Sequence, residues 1–350
     1  MIKNTKAYEK ELITTSQEPF IQWDKLEGRS VLITGASGMI GSYLVDLLTT
    51  HNKMCDGGIT VHALSRSMSK LEDRFGRDNA GVNMIAQDIC SPIDDSLEVD
   101  YIIHAASNTH PLEYANRPVD TITTNIIGLR NLFEYAKKHK GCRVVVLSSV
   151  EVYGENRGDT DLFDEKYCGY LDCNTLRAGY PESKRLSETM AQAYKSQYGV
   201  DSVIIRLSRV YGPGVETDDS KATTQFINKA ASGEDIILKS DGSQLYSYTY
   251  VADAASGILK VMTDGESGQA YNVADPSSNR TLKEIAEYLA ASVGREVLYE
   301  VPDETEKKGY STATKALLDG NKIKELGWTP SFDMESGLAQ TLYLMNKKNQ

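Results

Sequence analysis

From Val31 to Arg206 the chain alternates short apolar runs with longer stretches whose apolar residues recur every three or four positions. Val31 to Thr34 is an apolar run that ends in glycines and predicts a strand; Met39 to Leu48 then carries helical spacing. Further strands are predicted at Ile59 to Leu64, Val82 to Ala86, Tyr101 to His104, Arg143 to Leu147 and Ser202 to Arg206. Long helical patterns fill Val119 to His139 and Pro181 to Tyr198, the second with Pro in its first turn, where a missing N–H is tolerated. Alternation of this kind predicts a parallel sheet covered by helices on both faces.

After Tyr211-Gly-Pro-Gly214 the pattern changes. A helix is predicted at Thr223 to Ser232, strands at Ile236 to Leu238 and Tyr246 to Tyr250, and an amphipathic helix at Thr281 to Val293. A helical stretch from Leu338 to Met345 follows. This half reads as smaller and mixed, and is expected to cap the sheet. Ahead of the first strand, Ala7 to Thr14 is expected to lie on the surface as a helix.

Composition narrows the possibilities. A chain of 350 residues suits one large α/β unit or two domains. A net charge of −11 argues against a nucleic-acid partner, because neutralising phosphates needs excess Lys and Arg. One local basic pocket is still enough for an anionic small molecule. The five cysteines include no Cys-x-x-Cys pair and form no zinc spacing with the five histidines, so no metal is expected. The plain reading is reduced thiols in a cytoplasmic protein. Met1 to Gly28 has no apolar core, so no signal peptide is expected. No run is long and apolar enough to span a bilayer, and no membrane partner is expected.

Gly35, Gly38 and Gly41 follow a predicted strand and open a predicted helix. The first permits a tight turn, the second lets backbone N–H groups approach a pyrophosphate, and the third allows close helix–strand packing. Ser37, Met39 and Ile40 share this turn and are expected beside the same cofactor. The bland alternative is a glycine-rich turn with no ligand. At the end of the second strand stand Ser65 and Arg66. A carboxylate there would hold ribose hydroxyls, whereas a guanidinium matches a 2′-phosphate, so NAD and NADP both stay open. Arg66 is otherwise a solvated surface charge. Asp88 is placed to accept from an adenine amino group.

Tyr180 and Lys184 are four residues apart and project from one helix face. A tyrosine with an ordinary pKa near ~10 is a poor base at neutral pH, and a neighbouring ammonium is expected to lower that value. Lys184 also reaches toward a cofactor ribose. Ser149, at the end of a neighbouring strand, is placed to hydrogen-bond the substrate hydroxyl that Tyr180 deprotonates. The alternative is an amphipathic helix whose Tyr and Lys only pack and snorkel.

The glycine turn, Asp88-Ile89, His104-Ala-Ala-Ser107, Asn125, Ser148-Ser149, Tyr180-x-x-x-Lys184 and Tyr211-Gly-Pro stand in the order of the extended short-chain dehydrogenase/reductases. Within them the chain resembles the NAD-dependent epimerase/dehydratase family that remodels nucleotide sugars, over about Ser30 to Leu344. Asn116 to Gly128 and Arg177 to Arg185 are most similar to UDP-glucuronate decarboxylases. The resemblance implies a Rossmann doubly wound parallel sheet with a smaller mixed α/β C-terminal substrate domain. It divides the chain into an extension (1–28), a dinucleotide-binding domain (29–207 plus about 236–262) and a nucleotide-sugar-binding domain (about 208–235 plus 263–350). It also implies a homodimer formed through two long helices per subunit.

The same resemblance adds Ile89, His104, Ala105, Ala106, Ser107, Asn125 and Ser148 to the expected cofactor contacts. It makes Ser107, Asn108, Arg209, Tyr211, Gln225 and Tyr246 expected substrate contacts. Glu151 stands where similar decarboxylases and 4,6-dehydratases place a glutamate acid/base, while Val150 replaces the Asp typical of dehydratases. Tyr246 stands where many relatives carry an arginine, and Arg209 where they carry an asparagine, so Arg209 is expected to supply the displaced cation to a diphosphate or carboxylate. Its alternative is an ion pair within an acidic protein.

The expected function is oxidation of a nucleotide-linked sugar at C4, action on the 4-keto intermediate, and return of the hydride. Epimerisation, dehydration and decarboxylation share that first step. The alternatives are an NADPH-dependent net reductase of a 4-keto sugar nucleotide or other ketone, and a non-catalytic NAD(P)-binding regulatory protein.

Overall fold

A computed structural model of the chain describes residues 5–109, 116–214, 219–301 and 313–347. The predicted strands form as β1 (Ser30–Thr34), β2 (Thr60–Ser65), β3 (Asn83–Ala86), β4 (Tyr101–His104), β5 (Arg143–Ser149) and β6 (Asp201–Leu207). Shorter strands follow: β7 (Arg209–Tyr211), β8 (Ile236–Leu238), β9 (Leu245–Tyr250), β10 (Ala270–Val273), β11 (Asn279–Thr281), β12 (Val297–Tyr299) and β13 (Lys315–Ala316). The main sheet has seven parallel strands in the order β10-β6-β5-β4-β1-β2-β3. Strand order reverses between β1 and β4, where Thr34 pairs with His104; in folds of this kind ligands bind beyond the carboxyl ends of the strands at that point.

The helices are α1 (Lys6–Ser16), α2 (Met39–Cys55), α3 (Met68–Phe75), α4 (Pro118–Thr123), α5 (Leu129–Lys138), α6 (Gly179–Tyr198), α7 (Ala222–Ala231), α8 (Val251–Asp264), α9 (Leu282–Ser292), α10 (Asn321–Glu325) and α11 (Met334–Lys347). Side chains alternate across a strand, and the two cores follow that alternation. Val31, Ile33, Val145, Leu147, Val203 and Ile205 pack with α2 and α8 on one face. Leu32, Val144, Val146 and Ile204 pack with α5 and α6 on the other. The sheet is therefore covered on both sides, as a doubly wound Rossmann fold requires.

Four expectations are corrected. The helix predicted over Val119 to His139 is interrupted by a five-residue π-turn, Thr124–Gly128. A Cβ on Gly128 would stand 2.8 Å from the Ile89 side chain, so Gly128 is where this segment lies close against the loop after β3. Helix α1 does not lie on the surface: Tyr8, Glu11 and Leu12 are buried, and Tyr8 donates to Asp46 of α2 at 2.9 Å. Its burial comes from α2 and α8, which local pattern does not reveal. Helix α8 escaped prediction because twelve of its fourteen residues are buried, leaving no amphipathic stripe. Finally, β10 joins the main sheet from within 263–350, whereas β8 pairs with β12 and β9 pairs with β7, β11 and β13. Apart from the six-residue β9, these strands have two to four residues and carry too little pattern to name their sheet. Among the described residues no helix is long and apolar enough to cross a membrane.

Candidate active site

The site forms at the carboxyl ends of β1, β4 and β5. Beyond Thr34 the chain turns at Gly35, whose φ of +66° lies in the left-handed region. A Cβ there would stand 2.7 Å from the Ala105 carbonyl oxygen and the Ala106 nitrogen, so Gly35 is required by the close approach of the β4 loop. A Cβ on Gly41 would stand 2.4 Å from the Gly35 oxygen. Gly38 differs: among the described residues a Cβ would meet only the Gly35 oxygen, at 3.4 Å. Its bare backbone caps α2 with no side-chain cap hydrogen bond, leaving the first N–H groups of a 17-residue helix facing outward. Met39 and Ile40 begin that helix, partly buried.

Ser37 reaches across to β2, its hydroxyl 3.0 Å from that of Ser65. Arg66 is exposed at the same edge. Asp88 is also exposed and accepts the Cys90 N–H at 2.9 Å. His104 is buried, with Nδ1 2.9 Å from the Thr34 hydroxyl. Thr34 also accepts the Ala106 N–H at 3.2 Å. Burial, helped by the Lys184 charge, pushes His104 down to about 3, so it stays neutral. Ser107 donates to the Asn108 carbonyl at 3.3 Å.

Helix α6 supplies the proton-transfer pair. Tyr180 and Lys184 are both buried, with the Lys184 ammonium 5.7 Å from the Tyr180 ring centre. Lys184 donates to the Leu147 carbonyl on β5 at 2.8 Å. Burial draws it down to about 8, against the opposing charge of Glu188. Tyr180 hydrogen-bonds Ser149. The phenol is not held low, as the four-residue spacing led us to expect. Burial pushes it up to about 12; Ser149 lowers it, Glu151 raises it and Arg177 lowers it. Desolvation of a buried phenolate outweighs its neighbours here.

Glu151 lies on the turn Val150–Tyr153 that leaves β5, and its N–H donates to Ser149 at 3.3 Å. Its carboxylate accepts from Arg177 Nη2 at 2.8 Å. Arg177 was not among the expected site residues. Its sequence signals were its place three residues ahead of Tyr180 and at the head of the stretch similar to UDP-glucuronate decarboxylases; its partner lies 26 residues away.

Several expected contacts have partners or positions of their own within the protein. Ser148 faces α6 and donates to Glu188 at 2.5 Å, and Glu188 pairs with Arg206 at 2.6 Å. Adjacent strand residues face opposite ways, so only Ser149 meets Tyr180. Asn125 sits in the π-turn and donates to Ser183 at 2.8 Å. Ile89 is core. Tyr211 is buried, its hydroxyl 3.3 Å from the Met334 carbonyl oxygen. Tyr246 is buried and donates its hydroxyl proton to the Ala313 carbonyl at 2.6 Å. Arg209 stacks on the Tyr246 ring at 3.8 Å. Gln225 is exposed on α7.

The sequence profile of the NAD dependent epimerase/dehydratase family matches residues 31–274. The chain belongs to this family. It is 31% identical to UDP-glucuronic acid decarboxylase 6 of Arabidopsis thaliana over 309 residues, covering 88% of this chain and 86% of that one. It is 30% identical to UDP-glucuronic acid decarboxylase 1 of Danio rerio, covering 98% and 79%. A dTDP-glucose 4,6-dehydratase from Streptomyces venezuelae, solved with NAD bound, superposes with a TM-score of 0.75 at 26% identity, covering 91% and 98%. This epimerase/dehydratase is therefore an NAD(P)-dependent enzyme of the kind that modifies nucleotide sugars. Its residues fit the dinucleotide: among the described residues a Cβ at Gly38 would meet nothing but the Gly35 oxygen, and the amides that open α2 have no side-chain cap, the arrangement that suits a pyrophosphate.

Proposed function

We propose that this enzyme oxidises a nucleotide-linked sugar at C4, acts on the 4-keto sugar, and then reduces it again. The observation that carries this is the linked group Tyr180–Ser149–Glu151, with Lys184 one helical turn on, at the strand ends beside the glycine turn. When bound, the nicotinamide supplies the hydride acceptor and later gives the hydride back. Gly35, Gly38, Gly41 and the start of α2 would hold its pyrophosphate, with Ser65 and Arg66 toward the adenosine ribose. Tyr180 takes the C4 hydroxyl proton as the phenolate, a form that the Lys184 ammonium and the positive charge of a bound oxidised nicotinamide would have to favour against the burial that holds the phenol at about 12, and Ser149 orients that hydroxyl through the bond it makes to the phenol. A carboxylate at Glu151 reaches the carbons next to the transient ketone, where protons are acidified. Val150 leaves no acid beside it to protonate a departing C6 hydroxyl, which favours decarboxylation or epimerisation over dehydration. The seven-stranded sheet serves as the cofactor unit, and the smaller sheets with α7 and α9 as the sugar-nucleotide unit.

The test is turnover of UDP-glucuronate, UDP-glucose, dTDP-glucose, and CDP- and GDP-sugars, followed by mass and NMR. Conversion of at least one is expected; no turnover of any sinks the proposal. A second reading, a net NADPH-dependent reductase, is favoured by Ser65 and the exposed Arg66 at the end of β2, where no carboxylate stands. Acid extraction separates the two: one tightly held NAD per chain counts against the reductase.

The enzyme is further proposed to act as a cytoplasmic homodimer. Val119 (71% exposed) and Ile122 (42%) on α4, and Leu186 (50%) on α6, leave apolar side chains in solvent on the two helices expected at the dimer contact. Light scattering that returns a monomer mass at micromolar concentration would exclude it.

A further inference from the structure

The turn Leu176–Ala178 delivers the chain into α6 three residues ahead of Tyr180, and Arg177 lies at its centre. Its guanidinium meets Glu151 at 2.8 Å, across from the turn that leaves β5. Both side chains are mostly buried, 18% and 21% exposed. Glu151 in turn donates its backbone N–H to the Ser149 hydroxyl, and that hydroxyl bonds the Tyr180 phenol. One connected path thus runs from Arg177 through Glu151 and Ser149 to Tyr180. The two charges of the ion pair also act on the phenol with opposite sign, Glu151 raising it and Arg177 lowering it.

We propose that Arg177 is a positioning residue that holds the Glu151 carboxylate beside the tyrosine–serine pair, where it acts on the keto sugar. The assignment rests on the C4-oxidation reading. An exposed ion pair contributes little, but in a largely desolvated pair the removal of one partner leaves the other charge uncompensated. Glu151 sits on a one-turn helical segment, so its long side chain has no rigid element of its own to fix its rotamer. The guanidinium fixes it by tying the exit of β5 to the entrance of α6. The neighbouring cation does not share this task, because Lys184 is directed at the Leu147 carbonyl. A role confined to shaping the entry to α6 is the competing account, and it predicts different kinetics.

The experiment compares Arg177→Met, Arg177→Lys, Glu151→Gln and the double variant Arg177→Met/Glu151→Gln. Each is made in the full chain, purified with its cofactor, and offered UDP-glucuronate, UDP-glucose and dTDP-glucose. In the wild-type background Arg177→Met is expected to lower kcat by about 10- to 100-fold with KM changed by less than about threefold. Arg177→Lys recovers part of the loss. In the Glu151→Gln background the same Met substitution costs less than about threefold, because the residue it serves is already gone. An unchanged kcat in Arg177→Met, or an equal loss in both backgrounds, overturns the assignment while leaving C4 oxidation intact. Should Arg177→Met fail to fold, Arg177→Lys carries the same comparison: its loss must vanish in the Glu151→Gln background. A wild-type enzyme inactive on all three substrates and on the CDP- and GDP-sugars as well overturns both the assignment and the reading beneath it.

Discussion

Replacing Tyr180 by phenylalanine removes one oxygen from a buried ring and leaves its packing in place. The Ser149 hydroxyl loses its partner, and the C4 proton loses its acceptor. A kcat lowered by about 10²- to 10⁴-fold with an unchanged melting temperature is the expected outcome. Steady-state kinetics and calorimetry on the same preparation check it, and a variant that turns over like the parent would disprove the proton-transfer role. Gly35→Ala tests the glycine turn. The substitution is strained at φ +66° and drives a methyl into the Ala105–Ala106 backbone. Purified Gly35→Ala should carry less nicotinamide than the parent and melt lower, as read by acid extraction and thermal scanning. Both residues were legible in the sequence because the turn and the four-residue spacing are local patterns. Arg177 was not, and neither were the partners of Ser148 and Tyr246, since Glu151, Glu188 and Ala313 are distant from them in the chain.

Helix α1 shows how an element outside the matched family region becomes part of the protein. It is capped by Thr5, and its Tyr8 and Leu12 enter the core beside α2 and α8. Glu11 accepts from Tyr250 of β9 and from Gln340 of α11, each at 2.8 Å, so α1 ties β9 to the last helix. Burial pushes the Glu11 carboxyl up from its ordinary value. Leu12→Ala should lower stability by about 2–5 kcal/mol, the range for emptying a buried leucine site. A urea midpoint equal to the parent's would show α1 to be dispensable. The helix itself was readable from its apolar spacing; its depth was not, because burial depends on which surfaces arrive from elsewhere.

Across the whole molecule, Asp253 links α8 to the segment ahead of α11. It is buried and accepts the N–H groups of Ser331 and Phe332 at 2.7 and 3.0 Å. Burial raises it from 3.8 to about 7, against the lowering effect of those two donors. A carboxyl raised on folding favours the protonated form. Its contribution is complete below about pH 4 and is lost as pH climbs through about 7. Stability should therefore decline across that window, and Asp253→Asn should flatten the decline; denaturation at a series of pH values measures both. An identical slope in the two proteins would place the pH dependence elsewhere.

What the sequence by itself determined is what near neighbours enforce. Strand alternation set two apolar faces, glycines opened the turn before α2, and a four-residue spacing put Tyr180 and Lys184 on one side of α6. Only the tertiary structure decided that Ser148 turns to Glu188, which side chain Glu151 grips, that Tyr211 and Tyr246 are buried, and that β10 completes the main sheet. Those outcomes turn on burial and on contacts between distant segments, and no short window of sequence contains both partners.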